Sequence, residues 1–145
     1  MLKLTCLCGQ IRIEVAKRPD FINECNCTLC SKSGARWSYF HPSEVSIEGA
    51  ARDYRREDKD DPAAEIHFCG RCGATTHFTL TESAIAKFGN VHTGVNMSLA
   101  DESDLAGLEL RYPDGRAWSG GADFGYVREP QIIGPAVIGQ SPAAR

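Results

Sequence analysis

Seven cysteines are the residues of this sequence whose type and spacing indicate chemistry. An odd number of cysteines rules out a disulfide framework that uses them all. Closely spaced cysteines are typical of metal ligands, because one turn of backbone then places several sulfurs around one ion. The cysteines form three clusters, which are Cys6 with Cys8, then Cys25 with Cys27 and Cys30, then Cys69 with Cys72.

The first and last clusters are predicted to share one metal ion. Each pair is followed at once by a glycine, Gly9 or Gly73, and glycine permits the positive φ that such a turn often requires. Two turns of this kind supply four thiolates, which close a tetrahedral zinc site, and closed sites are structural. The alternative is a set of free cysteines buried in a β core. The expected ligands of the structural zinc are Cys6, Cys8, Cys69 and Cys72.

The middle cluster has three cysteines and no fourth cysteine nearby. If Cys25, Cys27 and Cys30 bind zinc, one coordination position stays open to water or substrate, which is the catalytic pattern. A disulfide between Cys27 and Cys30 is an alternative, whereas an iron–sulfur cluster normally has four ligands. In another alternative a histidine completes a second structural site, and the candidates are His41, His67, His77 and His92.

The sulfur-rich ligand set of the middle cluster indicates a class of substrate. Three thiolates donate strongly to a metal ion and make it a poor Lewis acid, so the fourth ligand that suits it best is another thiolate. A thiol bound to a metal is deprotonated at neutral pH. The site is therefore expected to activate or release a small thiol rather than to hydrolyse a peptide.

The order C-x-C-G, C-x-C-x-x-C, C-x-x-C-G resembles the glutathione-dependent formaldehyde-activating enzyme family, also called the centromere protein V/GFA domain. The similarity covers about residues 2–118, with its motifs at 6–9, 25–34 and 68–73. Two positions depart from the family pattern. Asn26 stands where histidine is common, and Ser31 stands where a basic residue is expected, with Lys32 next.

The resemblance implies a mainly β fold, a small zinc-stabilised β-tent of one domain. It implies two zinc ions per chain, of which the first and last cysteine pairs hold the structural one. Cys25, Cys27 and Cys30 would hold the second ion, where a glutathione thiol can coordinate. The implied activity is that of a carbon–sulfur lyase, in which glutathione thiolate adds to formaldehyde and leaves as S-hydroxymethylglutathione. The alternative function is a non-catalytic zinc module that binds another protein.

The elements that must position the cysteines are predicted to be strands. Residues 2–15 alternate apolar and polar side chains around the first cysteine pair, and residues 65–80 repeat this strand, cysteine turn, strand pattern. Residues 19–36 are predicted to be a polar loop that holds the middle cluster. Residues 52–65 are predicted to be a solvated loop. No long amphipathic helix is visible, so the fold is expected to be mainly β.

The last part of the chain differs in composition. From Gly120 onward, five glycines and three prolines fall within 26 residues, which predicts an extended tail outside the core. The expected division is therefore a zinc domain over residues 2–118 and a tail over 119–145. Apolar residues of the tail could dock on another surface, including a second copy of the chain, and these are Ile132, Ile133, Val137 and Ile138.

Composition excludes several classes of protein. With 145 residues, 42% of them apolar, and a net charge of −3, the chain has the size and balance of one globular domain. No basic excess is present to bind nucleic acid. The sequence shows neither a secretory leader nor an apolar segment of about 20 residues that would span a membrane. A cytoplasmic protein is expected, in which thiols stay reduced.

Overall fold

The computed structural model of the protein describes residues 1–121 and 124–134, and these form two β-sheets with short helices. In chain order the strands are β1 (Leu2–Thr5), β2 (Arg12–Val15), β3 (Ile22–Asn23), β4 (Trp37–Phe40), β5 (Val45–Glu48), β6 (Ala51–Tyr54), β7 (Ala64–Cys69), β8 (Thr75–Leu80), β9 (Thr93–Asn96), β10 (Glu109–Arg111) and β11 (Gln131–Ile132). The helices are α1 (Thr28–Ser33), α2 (Glu82–Phe88) and α3 (Glu102–Leu105), with 3-10 turns at Pro42–Glu44 and Met97–Leu99. The prediction of a mainly β fold is confirmed.

The smaller sheet has the strand order β1-β2-β5 and is antiparallel. Leu2 lies opposite Val15 and Leu4 lies opposite Ile13, and all four side chains are buried. The alternation predicted for residues 2–15 therefore forms a hairpin, because successive side chains of a strand point to opposite faces.

The larger sheet has the strand order β11-β10-β3-β4-β9-β8-β7-β6. Its strands pair antiparallel except for β10 and β3, which run parallel. The hairpin of β7 and β8 confirms the pattern predicted for residues 65–80. The prediction that residues 52–65 form only a loop is wrong, because Ala51–Tyr54 pairs with β7 as the sheet's edge strand. Charged side chains are typical of edge strands, so the charge run did not exclude β structure.

The prediction of a loop over residues 19–36 is also wrong in part. β3 pairs with β4 through Asn23 and Trp37, and the helix α1 follows the cysteine at position 27. The Cys27 sulfur caps this helix, since it accepts the backbone N–H of Cys30 at 3.4 Å. A thiolate can thus take the place of the usual N-cap oxygen, and the C-x-x-C spacing forms the first turn of a helix.

Two groups of buried side chains form the core. The larger group lies between the two sheets and includes Cys6 and Cys69. The smaller group is Ala35, Trp37, Ile66 and Phe78, with Leu29, Cys30 and Tyr39 packed against it. The first and last cysteine clusters therefore belong to the main core, whereas the middle cluster lies at the edge of the smaller one.

The C-terminal segment returns to the sheet. Glu109 and Leu110 of β10 pair with β11, and Ile133 packs against the main core. The expectation that the tail stays off the core is therefore wrong at Ile133. Val137 and Ile138 lie outside the described residues. None of the helices in the described ranges has the length and apolar character needed to cross a membrane.

Candidate functional site

The first and last cysteine clusters lie at the tips of two hairpins. Gly9 and Gly73 adopt φ angles of 79° and 77°, so the predicted left-handed turns are present after both cysteine pairs. Each turn is closed by a backbone hydrogen bond, from the N–H of Gly9 to the oxygen of Cys6 at 3.0 Å and from the N–H of Gly73 to the oxygen of Cys69 at 2.8 Å. The tip of the β1–β2 hairpin lies next to the tip of the β7–β8 hairpin.

Four sulfurs come together at this meeting point. The Sγ atoms of Cys6, Cys8, Cys69 and Cys72 all lie within 4.8 Å of one another. The Cys6–Cys8 and Cys8–Cys69 pairs are each 3.7 Å apart. A tetrahedral zinc ion with bonds of about 2.3 Å places its sulfurs about 3.8 Å apart. The donor set and its spacing therefore fit a closed zinc site.

Backbone N–H groups favour the thiolate form of two cysteines in this cluster, Cys6 and Cys72. The N–H of Ile11 donates to the Cys6 sulfur at 3.2 Å. The N–H groups of Ala74 and Cys8 lower the pKa of the Cys72 thiol to about 6. Thiolates are the form in which cysteine binds a metal. The backbone around these turns therefore favours the metal-binding form of Cys6 and Cys72.

The middle cluster brings three sulfurs together without a fourth ligand. The Sγ atoms of Cys25, Cys27 and Cys30 lie within 4.8 Å of one another, and all three residues are half-buried. All four histidines lie in the described ranges, and none joins these sulfurs as a fourth ligand. The structure therefore does not support a second four-ligand site, although three sulfurs this close still suit a metal ion.

Charge in the middle cluster is concentrated on one sulfur. The side chains of Cys25 and Cys30 and the backbone N–H groups of Cys30 and Leu29 lower the pKa of the Cys27 thiol to about 2. The same contacts raise the pKa of Cys30, mainly through Cys25 and then Cys27. These contacts favour the thiolate form at Cys27 over the thiolate form at Cys25 or Cys30. A divalent ion would offset two of the three negative charges of a fully deprotonated cluster.

A cavity of 320 Å³ opens beside the middle cluster. Cys25 and Cys30 form part of its wall, and Tyr112, Val127 and Arg128 of the C-terminal segment form another part. The remaining lining residues are Glu24, Asn26, Ser31, Gly34 and Ala35. A small molecule in this cavity can therefore reach the sulfurs of the cluster.

Asn26 fixes the loop that closes over these cysteines. Its Nδ2 donates to the Asp114 carboxylate at 2.8 Å, and its Oδ1 accepts the backbone N–H of Arg116 at 2.9 Å. Gly115 is so close that a Cβ added to it would lie 2.3 Å from the Cys25 sulfur. The loop over residues 113–118 is therefore part of the middle site, and glycine is needed for its close approach.

The arrangement of the cysteines agrees with that of a known protein family. The sequence profile described as "Glutathione-dependent formaldehyde-activating enzyme" matches residues 1–106, which include all seven cysteines. The chain belongs to this family. A crystal structure of a Rhodobacter sphaeroides protein is similar, with a TM-score of 0.56 and 26% sequence identity over 75% of this chain and 99% of that chain.

Sequence reasoning missed the contribution of the C-terminal segment to the middle site. The Pro113-Asp114-Gly115 turn and Arg128 lie beyond the residues that match the formaldehyde-activating family. A turn was predictable at Pro113, but nothing in the local sequence relates Asp114 to Asn26 of the middle cluster, 88 residues earlier. That relation arises because β10 runs parallel to β3, which leads directly into the middle cluster.

Proposed function

We propose that this protein is a zinc-dependent enzyme of the carbon–sulfur lyase type. Its substrate would be a small thiol, such as glutathione, and its adduct with formaldehyde or another small electrophile. The observation that carries the proposal is the set of three sulfurs within 4.8 Å of one another, open on one side to a 320 Å³ cavity. A purely structural zinc protein would need only the closed cluster of four.

Two zinc ions per chain are part of the proposal. Four thiolates would hold the structural ion at the meeting point of the hairpins, and Cys25, Cys27 and Cys30 would hold the second. When bound there, zinc supplies one further coordination position, which suits a substrate thiolate better than a hard oxygen. Family membership supports glutathione as the thiol.

The protein's own groups would place the reactants and hold the thiolates. Backbone N–H groups of Cys27 and Cys30 donate to the sulfurs of Cys25 and Cys27, both at 3.4 Å, and would orient these two ligands. The cavity would orient the thiol against the electrophile. In the reaction, the thiolate sulfur bonds to the carbonyl carbon, the carbonyl π bond breaks, and the oxygen takes the proton that the thiol gave up.

The test is the rate at which the protein accelerates exchange between glutathione, formaldehyde and S-hydroxymethylglutathione, measured by NMR exchange spectroscopy. The zinc-loaded chain should accelerate the exchange. Cys30→Ser should abolish the acceleration, because it removes one sulfur of the middle cluster. Ser46→Ala, on the exposed face of β5 in the smaller sheet, is the matched control and should retain it.

The same experiment separates the proposal from a non-catalytic zinc module that binds another protein. A module of that kind would leave the exchange rate at its uncatalysed value in the native chain and in both variants. The wild-type rate therefore decides between the two functions. A cytoplasmic location, in which these thiols stay reduced, belongs to the proposal.

A further inference from the structure

We propose that Arg128 binds a carboxylate of the thiol substrate, so that the second site selects thiols that carry a carboxylate. This inference rests on the proposed function, because it concerns the ligand that reaches the middle cluster. It is carried by the position of Arg128 in the wall of the same 320 Å³ cavity that Cys25 and Cys30 line.

The guanidinium of Arg128 stacks on the ring of a buried tyrosine, Tyr112. Its Cζ lies 4.6 Å from the centroid of the Tyr112 ring. Tyr112 is buried, and its hydroxyl donates to Gln131 Oε1 at 2.7 Å. The backbone N–H of Val127 donates to the oxygen of Tyr112 at 3.0 Å. A stacked guanidinium keeps its N–H groups free at the edge, where they can bind a carboxylate.

Arg128 is a cation in the wall of the cavity. Within residues 1–121 and 124–134, no acidic side chain forms an ion pair with it. The other charged group in the lining is Glu24, and its carboxylate accepts from Arg36 Nε at 3.0 Å. Glu24 and Arg36 therefore largely compensate each other. No carboxylate of the described residues lies within ion-pair distance of Arg128, whose charge is left for a ligand.

The charge of the cysteine cluster makes such a cation useful. Three thiolates with one divalent ion have a net charge of −1, and a bound substrate thiolate makes it −2. A carboxylate on the substrate would add to this repulsion in a cavity partly shielded from water. The guanidinium offsets it, and a bidentate pair also fixes the orientation of the substrate.

Arg128 lies outside residues 1–106, which match the family. The part of the chain that matches the family would thus supply the sulfur cluster. The C-terminal segment would supply Arg128, which binds the substrate carboxylate. Asn26 connects the two, because it holds the loop of Asp114 beside the cluster. Selectivity in this chain would then be a property of the segment after β10.

The test compares two ligands that differ in charge. Isothermal titration of the zinc-loaded chain is carried out with glutathione and with glutathione diethyl ester, which keeps the thiol but has no carboxylate. The wild-type chain should bind glutathione more tightly than the ester. Arg128→Ala should weaken glutathione binding by roughly tenfold or more, leave ester binding unchanged, and so remove the discrimination. Arg128→Lys should retain part of it.

Arg12→Ala is the matched control, since Arg12 is an exposed arginine of β2 in the smaller sheet, and it should bind both ligands as the wild type does. Equal affinity of the wild-type chain for the two ligands, or unchanged glutathione binding in Arg128→Ala, would overturn the role of Arg128. The proposed function would survive that result, because both thiols would still bind. If neither thiol binds the wild-type chain, the proposed function itself fails.

Discussion

Individual residues show the difference between the two cysteine sites most clearly. In the cluster of four, Cys6 and Cys69 are almost fully buried and Cys8 and Cys72 are half-buried. All three cysteines of the middle cluster are half-buried, and Cys25 and Cys30 line a cavity. A metal held by Cys6, Cys8, Cys69 and Cys72 would join the tips of two hairpins within the main core. A metal at the middle cluster would stabilise only the region around α1.

Replacement of one cysteine in each cluster should therefore have different consequences. Cys69→Ser is expected to prevent stable folding, because binding energy at a structural zinc site is folding energy. Cys27→Ser is expected to give a folded chain that has lost one metal ion and its affinity for thiols. Circular dichroism and metal analysis check both variants. Equal loss of folding in the two would mean that both clusters are structural.

Gly115 should be required for the geometry of the middle cluster. A Cβ at this position would lie 2.3 Å from the Cys25 sulfur, so Gly115→Ala must displace either the cysteine or the loop. We expect metal bound at the middle cluster to be lost while the structural metal stays.

Gly125→Ala is the matched control for this change, because a Cβ at Gly125 meets no atom within 4 Å. Metal content by mass spectrometry compares the two variants. A Gly115→Ala chain with the full metal content of the wild type would show that the loop does not constrain the cluster.

Asn26 should act through the position of the loop rather than through the metal. Asn26→Asp places a carboxylate beside Asp114, where the amide now donates at 2.8 Å, and like charges repel at this distance. The expected result is weaker glutathione binding with both metals retained, measured by titration calorimetry and metal analysis. Unchanged glutathione affinity would contradict this role.

The residues at the two cysteine turns were predictable, whereas their surroundings were not. Spacing and the following glycines indicated four sulfurs at one point and three at another, because these constraints are local. Cys27 as a helix cap was missed, since sulfur is an unusual cap. Gly115 and Arg128 were missed because their contacts depend on where the chain returns after β10.

At the scale of elements, the pairing of strands brings the clusters together. The β1–β2 and β7–β8 hairpins belong to different sheets, and their tips meet at the four sulfurs. Alternating side chains predicted both hairpins, but not which sheet each would join. That choice depends on long-range pairing, such as β2 with β5 and β6 with β7.

The β7–β8 pair contains two stacked histidines that should make stability depend on pH. The His67 and His77 rings are 4.3 Å apart and nearly parallel. Burial, and then the charge of His67, lowers the pKa of His77 to about 3. The unfolded chain has a histidine pKa near 6.5. As the pH falls below 6.5, the unfolded state therefore binds a proton that the folded state does not, and stability falls until about pH 3.

The variant that tests this linkage is His77→Gln. Between pH 6.5 and pH 5, the free energy of unfolding of the wild-type chain should fall by about 1.6 kcal/mol more than that of the variant. Urea unfolding at both pH values measures the difference, and loss of metal affects both chains alike. The same pH dependence in both chains would show that the pKa of His77 does not differ between the folded and unfolded states.

In the molecule as a whole, the cluster of four cysteines joins the two sheets and the middle cluster borders the C-terminal segment. The prediction of one mainly β domain is confirmed. The prediction of a tail off the core failed at Ile133 because composition does not show where an apolar residue docks. Its partners are buried residues of both sheets, which are far from Ile133 in the sequence.

Chelation should therefore proceed in two steps. A chelator such as EDTA should first remove the metal of the middle cluster, which has three ligands and an accessible side, with little loss of β structure. Removal of the second metal should unfold the chain. Circular dichroism and metal release, followed together, check the order. Loss of structure with the first ion would contradict the assignment of the two sites.

The most direct single measurement is native mass spectrometry of the purified chain with and without glutathione. The wild-type chain should carry two zinc ions and add one glutathione, while Cys27→Ser should carry one zinc ion and add none. A wild-type chain with one zinc ion, or glutathione binding that persists in Cys27→Ser, would contradict an open zinc site at Cys25, Cys27 and Cys30.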